Sequence, residues 1–85
     1  MRKIKDSKLK KGDIVCDVDV ICFASTYLKF VCADDEEKHF IYLGGRGTYI
    51  IGDDGFISFG DDDCYYRLNK KEIASLVEVG TINLG

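Results

Sequence analysis

The sequence predicts a mainly β protein: a small antiparallel barrel or a strongly bent sheet, with one short helix near the C-terminus. Three observations support this. Apolar and polar residues alternate in several short runs, which is the period of a half-buried strand. Segments rich in Gly and Asp separate those runs and are typical of turns. Only one stretch, beginning at Asn69, has the capping residues and apolar spacing of a helix.

The first strand is predicted over residues 13–23. Its inward face would carry apolar residues without interruption: Ile14, Cys16, Val18, Val20 and Cys22. A strand of this length is unusual, so we expect a bend or bulge within it. The Leu-Lys-Lys-Gly-Asp-Ile-Val segment at residues 9–15, which leads into this strand, is similar to the entry into the first strand of many SH3-like barrels. The similarity is confined to that segment and assigns no family.

Further strands are predicted over residues 26–33, 38–43, 64–68 and 78–84, because each has short alternating or β-branched runs. The helix is predicted to begin after Asn69, whose side chain is a good N-cap. Glu72 stands where the second side chain of a capping box belongs. We expect the helix to end by about Val77.

The clearest hairpin signal lies in residues 48–59, where two β-branched and aromatic runs flank a Gly-Asp-Asp-Gly turn. The predicted partners are Ile51 with Phe56 and Ile50 with Ile57. Both faces of such a hairpin are apolar, so each needs cover from the helix or from a second copy of the chain. A small homodimeric structural or regulatory protein is therefore one interpretation. A mass near 9.6 kDa in light scattering would exclude the dimer.

The predicted core follows from the inward faces of these elements. It comprises Ile14, Cys16, Val18, Val20, Leu28, Phe30, Phe40, Ile50, Ile57 and Leu76.

The length of 85 residues indicates one domain, which we place at residues 13–85 behind a basic N-terminal arm at 1–12. Residues 1–11 hold six of the 12 basic residues and one of the 15 acidic ones. The rest of the chain is therefore strongly acidic. The sequence contains no apolar run of membrane-spanning length and no signal-peptide pattern, so we expect a soluble, cytoplasmic protein.

The four cysteines, Cys16, Cys22, Cys32 and Cys64, lie in or beside apolar runs. Two disulfides with three possible connectivities are one alternative, but buried thiols are favoured in a reducing cytosol. The intervals between them lack the short spacing of a zinc site, and His39 is the only histidine. No metal or cofactor is therefore expected.

No catalytic motif is present, and the sequence predicts that the protein is not an enzyme. None of Ser7, Ser25, Ser58 and Ser75 has an evident base, and a pairing of Cys32 with His39 would be expected to lie in the core. The Gly44–Gly47 loop lacks the Gly-Lys-Ser/Thr ending of a phosphate-binding P-loop, which favours a simple strand connection.

The distribution of acidic residues favours a protein-binding module. Nine carboxylates fall in three predicted turns: Asp34, Asp35, Glu36, Glu37, Asp53, Asp54, Asp61, Asp62 and Asp63. Turns that share one side of a small domain would form a negative surface for a protein with a basic surface. Tyr65, Tyr66 and Arg67 are the predicted anchors, because Tyr and Arg favour interface centres. By analogy of type, such a chain fits a phage or mobile-element inhibitor of a host nucleic-acid-binding defence protein.

The alternative is a nucleic-acid-binding small barrel. The basic arm and Arg46 would then contact phosphate, and exposed aromatic rings would stack on bases. The acidic body opposes this interpretation. Retention on heparin or single-stranded DNA at low salt would distinguish the two classes.

Overall fold

The computed structural model describes residues 2–4, 9–18, 21–34, 37–46, 49–59 and 65–84, with the backbone alone for residues 2–4 and 59. It contains six strands and one helix: β1 (Arg2–Ile4), β2 (Ile14–Cys16), β3 (Thr26–Ala33), β4 (Lys38–Gly45), β5 (Ile57–Phe59), β6 (Tyr65–Arg67) and α1 (Lys70–Glu78). The strands form one sheet in the order β1-β6-β2-β3-β4-β5, and all neighbouring pairs are antiparallel.

The prediction of a mainly β fold with one short C-terminal helix is confirmed. The sheet is open, because β1 and β5 stand at its two edges and do not pair with each other in the described part of the chain. Closure into an SH3-like barrel is therefore not confirmed. Two register shifts, between Tyr27 and Leu28 and between Phe30 and Cys32, interrupt the long β3–β4 ladder. Such bulges bend a sheet without closing it.

Strand β2 lies at the centre of the core and is buried on both faces. Val15 faces a first core cluster, together with Leu28, Phe30, Phe40, Ile57 and Tyr65. Ile14 and Cys16 face a second core cluster on the other side of the sheet, together with Tyr27, Leu68, Leu76 and Ile82. The helix supplies Leu76, so it covers the second face.

Asp17 ends β2. Its N–H donates to the carbonyl oxygen of Thr26 (3.2 Å), and its Oδ1 accepts from the N–H of Thr26 (2.8 Å). Its Oδ2 accepts from the Tyr49 hydroxyl (2.8 Å). The carboxylate thus takes a ladder position that backbone would otherwise fill, and the strand stops.

The predicted strand over residues 13–23 is therefore wrong for the described residues beyond Cys16, since 17–18 and 21–23 are not part of a strand. Cys22 is exposed, and its N–H donates to the Ser25 hydroxyl (3.0 Å) in a turn that leads into β3. Val18 is half-buried against the second core cluster, whereas Val20 lies outside the described residues.

The turn of the predicted 48–59 hairpin is present. The N–H of Gly52 donates to the carbonyl oxygen of Phe56, and that of Gly55 to the carbonyl oxygen of Gly52, each at 2.9 Å. Gly55 has a φ of +85°, which Gly adopts without steric cost.

The hairpin itself is wrong. Residues 49–51 form no strand, and β5 pairs with β4, so that Ile57 lies opposite Phe40 and joins the first core cluster. Ile50 is 92% exposed and Ile51 is 59% exposed, so Ile50 is not a core residue. Burial against the aromatic cluster outweighs the local pairing that the turn suggests. Thr48 lies outside the described residues.

The capping box of α1 is confirmed. The Asn69 Oδ1 accepts from the N–H of Glu72 (2.8 Å), and the Glu72 Oε1 accepts from the N–H of Asn69 (2.9 Å). The helix continues to Glu78, and Gly80 follows its C-cap with a φ of +79°. The predicted last strand over residues 78–84 is wrong, because its first residue is helical and the rest is irregular.

The predicted core is largely confirmed: Ile14, Cys16, Leu28, Phe30, Phe40, Ile57 and Leu76 are buried. Strand β1 was not predicted, since residues 1–12 read as a basic arm. Its residues Arg2–Ile4 pair with Tyr65–Arg67 of β6, which brings part of that arm into the sheet edge.

Candidate functional site

The most developed polar arrangement of the described residues is centred on His39 in β4. His39 lies directly opposite Ser58 of β5 in the ladder. Its Nδ1 is 2.8 Å from the Ser58 Oγ, and its Nε2 is 3.0 Å from the Asp34 Oδ2. A hydroxyl, an imidazole and a carboxylate therefore form one hydrogen-bonded chain, which we call the Ser58–His39–Asp34 chain.

The direction of these hydrogen bonds follows from the acceptor at one end. An ionised carboxylate only accepts, so the Nε2 of His39 carries the proton that is donated to Asp34. In the neutral ring Nδ1 then has a lone pair, and the Ser58 hydroxyl donates to it. Once the ring is protonated, Nδ1 also donates and the Ser58 oxygen accepts.

The acidic loop before β4 holds Asp34 in place. The N–H of Asp34 donates to the carbonyl oxygen of Glu37 (2.9 Å), and the N–H of Glu37 donates to the Asp34 Oδ1 (2.8 Å). One carboxylate oxygen thus secures the loop, while the other receives the imidazole proton. The loop geometry orients Asp34 toward the ring.

Two predicted acidic turns meet at His39. The hydrogen bond with Asp34 raises the pKa of His39 above its usual 6.5, and the charges of Asp34, Asp54 and Glu37 act in the same direction. Desolvation opposes them but does not prevail. Asp34 bonds directly to His39, and Asp54 bonds to the backbone of Phe56 beside it, so both carboxylates lie close to the ring.

The second of these turns contacts the ring through its neighbour. The Asp54 Oδ1 accepts from the N–H of Phe56 (3.0 Å), and the Phe56 ring centroid lies 6.1 Å from that of His39. Asp53 is exposed in the same turn. The remaining predicted acidic residues lie outside the described part of the chain, so their position stays a prediction: Asp35, Glu36, Asp61, Asp62 and Asp63.

The raised pKa of His39 makes stability depend on pH. A group whose pKa is higher in the folded than in the unfolded state binds more protons when folded, so acidification favours folding. This contribution is fully present below the unfolded pKa of about 6.5 and is lost as the pH rises through the folded pKa. We expect urea unfolding midpoints to fall over that window in the native protein, and to fall less in His39→Gln. The same pH dependence in both proteins would contradict this assignment.

The three predicted anchor residues differ in their burial. Tyr65 is 2% exposed in the first core cluster, 4.9 Å from Phe40 between ring centroids, so its prediction as a partner-binding residue is wrong. Strand alternation turns this ring inward. Tyr66 and Arg67 are half-buried and stay predictions. Arg67 donates to the Asp13 Oδ2 (2.9 Å), which holds its guanidinium beside the residue that precedes β2.

The prediction that no serine has a base is wrong for Ser58, because His39 is its hydrogen-bond partner. No sequence signal pointed to this pair, since it depends on the unpredicted pairing of β4 with β5. Cys32 and His39 were expected to lie in the core if they paired, and they form neither a buried pair nor a hydrogen bond through the imidazole. Cys32 is exposed and lies across the ladder from His39, while both ring nitrogens bond elsewhere.

The loop at Gly44–Gly47 serves the fold. A Cβ at Gly44 would meet the carbonyl oxygen of Thr81, and one at Gly45 would meet that of Ser25. The glycines allow backbones to approach each other rather than a phosphate. Arg46 is exposed, and its N–H donates to the Ser25 carbonyl oxygen (3.1 Å), so its predicted anion contact stays a prediction.

A groove of about 520 Å³ lies between this loop and α1, and Cys22, Phe23, Arg46 and Val79 are among its lining residues. A hydrogen bond with Ser25 lowers the pKa of the exposed Cys22 thiol. Burial raises the pKa of the Cys16 thiol.

The prediction of buried thiols is confirmed for Cys16 and wrong for Cys22 and Cys32, which are exposed. These three cysteines form no disulfide, and Cys64 lies outside the described residues. Within the described ranges, no group of three or more His, Cys, Asp or Glu side chains is arranged to hold a metal ion.

No helix among the described residues has the length and apolar character needed to cross a membrane. Comparison with protein families, with curated proteins and with solved structures finds no match to this chain.

Proposed function

We propose that the protein is a non-catalytic binding module whose acidic surface recognises a basic surface on another protein. The observation that carries this proposal is the position of three carboxylate residues around His39: Asp34 bonds to its ring, Glu37 bonds to Asp34, and Asp54 bonds to the backbone of the neighbouring Phe56. These residues come from two separate turns, which the fold brings together. We call this region the acidic end and define it by residues 34, 37, 53 and 54.

The order of the strands supports a separation of charge. The acidic end surrounds β4 and β5, and β5 is one edge of the sheet. The opposite edge is β1, whose sequence includes Arg2 and Lys3. A basic partner would therefore be attracted to the β5 edge, which would orient the encounter.

Charge in such a surface contributes to the association rate more than to affinity. Asp34, Glu37, Asp53 and Asp54 are all exposed, so each is screened by solvent and salt. Affinity must come from a few anchors close to the acidic end. Tyr66, predicted for that role, lies on β6 beside the opposite edge and pairs with Lys3 of β1, so its part in binding stays a prediction. Arg67 would first have to weaken its ion pair with Asp13.

Neutralising the acidic end is expected to slow association with a basic partner. The proposed partner is a protein with a basic, nucleic-acid-binding surface, first captured from lysate of the source cell. Its association rate would then be measured with the native protein and with Asp53→Asn/Asp54→Asn at low and high salt. Electrostatic steering contributes roughly 10- to 1,000-fold to such rates, and we expect the double variant to lose several-fold at low salt.

A matched pair of single substitutions separates the effect of a charge's position on the association rate from the effect of net charge. Glu37→Gln removes a charge from the acidic end, whereas Glu78→Gln removes one at the end of α1. Both residues are exposed. Only Glu37→Gln should slow association. Equal rates for the two variants, or equal rates in low and high salt, would show that the acidic end does not steer binding.

A basic, nucleic-acid-binding defence protein of the host is the kind of target that an inhibitor encoded by a phage or mobile element would block. In that role the acidic end would occupy a site that otherwise receives phosphates, so binding of this protein and of nucleic acid should be mutually exclusive. Retention of the protein itself on heparin, with a steep salt dependence, would instead favour the nucleic-acid-binding alternative through its basic N-terminal segment and Arg46.

A further inference from the structure

The Ser58–His39–Asp34 chain has the order of groups that activates a serine nucleophile. Such a triad is recognised by its geometry and by the role of each group, not by sequence position. The Ser58 hydroxyl bonds to an imidazole nitrogen at 2.8 Å, within the distance at which a base accepts a proton. Ser58 is exposed, so a small electrophile can reach it from solvent.

We propose that Ser58 is a reactive nucleophile and an acylation site for activated acyl compounds, with His39 as its general base and Asp34 as the positioning residue. This goes beyond the binding function proposed above and does not depend on it. A single covalent acylation requires neither turnover nor a partner protein.

The three groups have separate roles. The neutral imidazole accepts the Ser58 proton at Nδ1, while its Nε2–H donates to Asp34 (3.0 Å) and keeps the ring in the required tautomer. Asp34 is held by the backbone N–H of Glu37 at 2.8 Å. Phe56 lies beside the imidazole at a centroid distance of 6.1 Å.

The reaction balances without a further reagent. The Ser58 Oγ attacks the acyl carbon of an activated ester, and its proton passes to the Nδ1 of His39. A bond forms between Oγ and the acyl carbon, and the bond from that carbon to the leaving oxygen breaks. The imidazolium then returns the proton to the leaving phenolate or alkoxide, so acyl-Ser58 and a phenol or alcohol are the products.

The charges that face the imidazole set the pH range of this reactivity. Among the described residues they are Asp34 and Glu37 from the loop before β4 and Asp54 from the turn before β5, and each of these charges stabilises the imidazolium. A further titratable group, the exposed thiol of Cys32, lies opposite His39 on β3. Because only neutral imidazole accepts a proton, acylation of Ser58 should accelerate as the pH rises through the folded pKa of His39.

The test uses p-nitrophenyl acetate and peptide mass spectrometry of the full chain. Ser75, an exposed serine on α1, is the internal reference in the same molecule. General-base assistance contributes about 10²- to 10⁴-fold, so we expect Ser58 to be acetylated at least about tenfold faster than Ser75. His39→Gln should reduce the Ser58 rate to that of Ser75.

Asp34→Asn tests whether Asp34 positions the imidazole or only supports the fold. It should slow acetylation of Ser58 and move the midpoint of the pH–rate profile down, toward the ordinary histidine value of about 6.5. If a variant fails to fold, the pH–rate profile of Ser58 acetylation in the native protein still tests the proposal. Equal acetylation of Ser58 and Ser75, or a Ser58 rate without a step near the pKa of His39, would overturn the proposal.

Discussion

Replacing Gly45 with Ala is expected to lower the free energy of unfolding by about 2–5 kcal/mol. Gly45 has a φ of +105°, and a left-handed conformation costs an L-residue about 1–2 kcal/mol. Its Cβ would also lie 2.7 Å from the Thr26 Cα and meet the Ser25 carbonyl oxygen. Overpacking of this kind costs about 1–3 kcal/mol. A domain of 85 residues has a total stability of only about 4–13 kcal/mol.

Substitutions at two other glycines separate the cost of the left-handed backbone from the cost of overpacking. Gly12 has a φ of +93° with nothing within 4 Å of an added Cβ, so Gly12→Ala carries the conformational cost alone. Gly44→Ala carries the steric cost without a left-handed φ, because its Cβ would meet the Thr81 carbonyl oxygen. Urea unfolding followed by circular dichroism measures all three. Equal losses for Gly45→Ala and Gly12→Ala would show that the loop is not tightly packed.

This loop illustrates a limit of sequence reasoning. The sequence predicts a strand connection from its glycines, whereas the structure places Gly44 and Gly45 at the end of β4. The reason for each glycine lies in segments distant along the chain, namely the backbone at Ser25 and Thr81. A Gly-rich pattern alone is compatible with a phosphate cradle and with close backbone packing, and only the tertiary structure distinguishes them.

Elements that depend on local patterns were predicted well. The bounds of β3 at Thr26–Ala33 match the prediction, because its alternating apolar residues are followed by an acidic turn. The helix start was also correct, since the capping box between Asn69 and Glu72 is contained within four consecutive residues. In both cases the stabilising contacts are near in sequence.

Elements that depend on distant partners were not predicted. The strand over residues 13–23 ends early because Asp17 bonds to Thr26 and Tyr49, far along the chain. The 48–59 hairpin fails because Phe40 and the rest of the first core cluster offer Ile57 a better position. Alternation alone shows neither the partner nor the end of a strand.

The candidate site divides in the same way. The acidic residues were evident from composition, and two of those described, Asp34 and Asp54, lie close to His39. The bond from His39 to Ser58 could not be predicted, because it requires the β4–β5 register. The two proposals therefore have different origins, one in charge distribution and the other in strand pairing.

Truncation of Phe40 to Ala is expected to cost about 3–5 kcal/mol, the range for removing a large buried aromatic side chain. Phe40 is 0% exposed, and its ring centroid lies 5.4 Å from that of Phe30 and 4.9 Å from that of Tyr65. It also opposes Ile57 across the β4–β5 ladder. The substitution removes the packing that holds β5 on the sheet, so Phe40→Ala should lower the melting temperature by at least about 10 °C.

A matched control uses the same chemical change at the surface. Phe23 is 83% exposed, so Phe23→Ala should alter stability by no more than about 0.5 kcal/mol. Partial loosening of β5 would also be visible at His39, because its neighbour Phe40 and its partner Ser58 lie in the same ladder. In Phe40→Ala the imidazole resonances should therefore titrate closer to the ordinary histidine pKa. Similar losses for Phe40→Ala and Phe23→Ala would show that the aromatic cluster is not the centre of the core, and the β4–β5 register that aligns Ser58 with His39 would then lose its support.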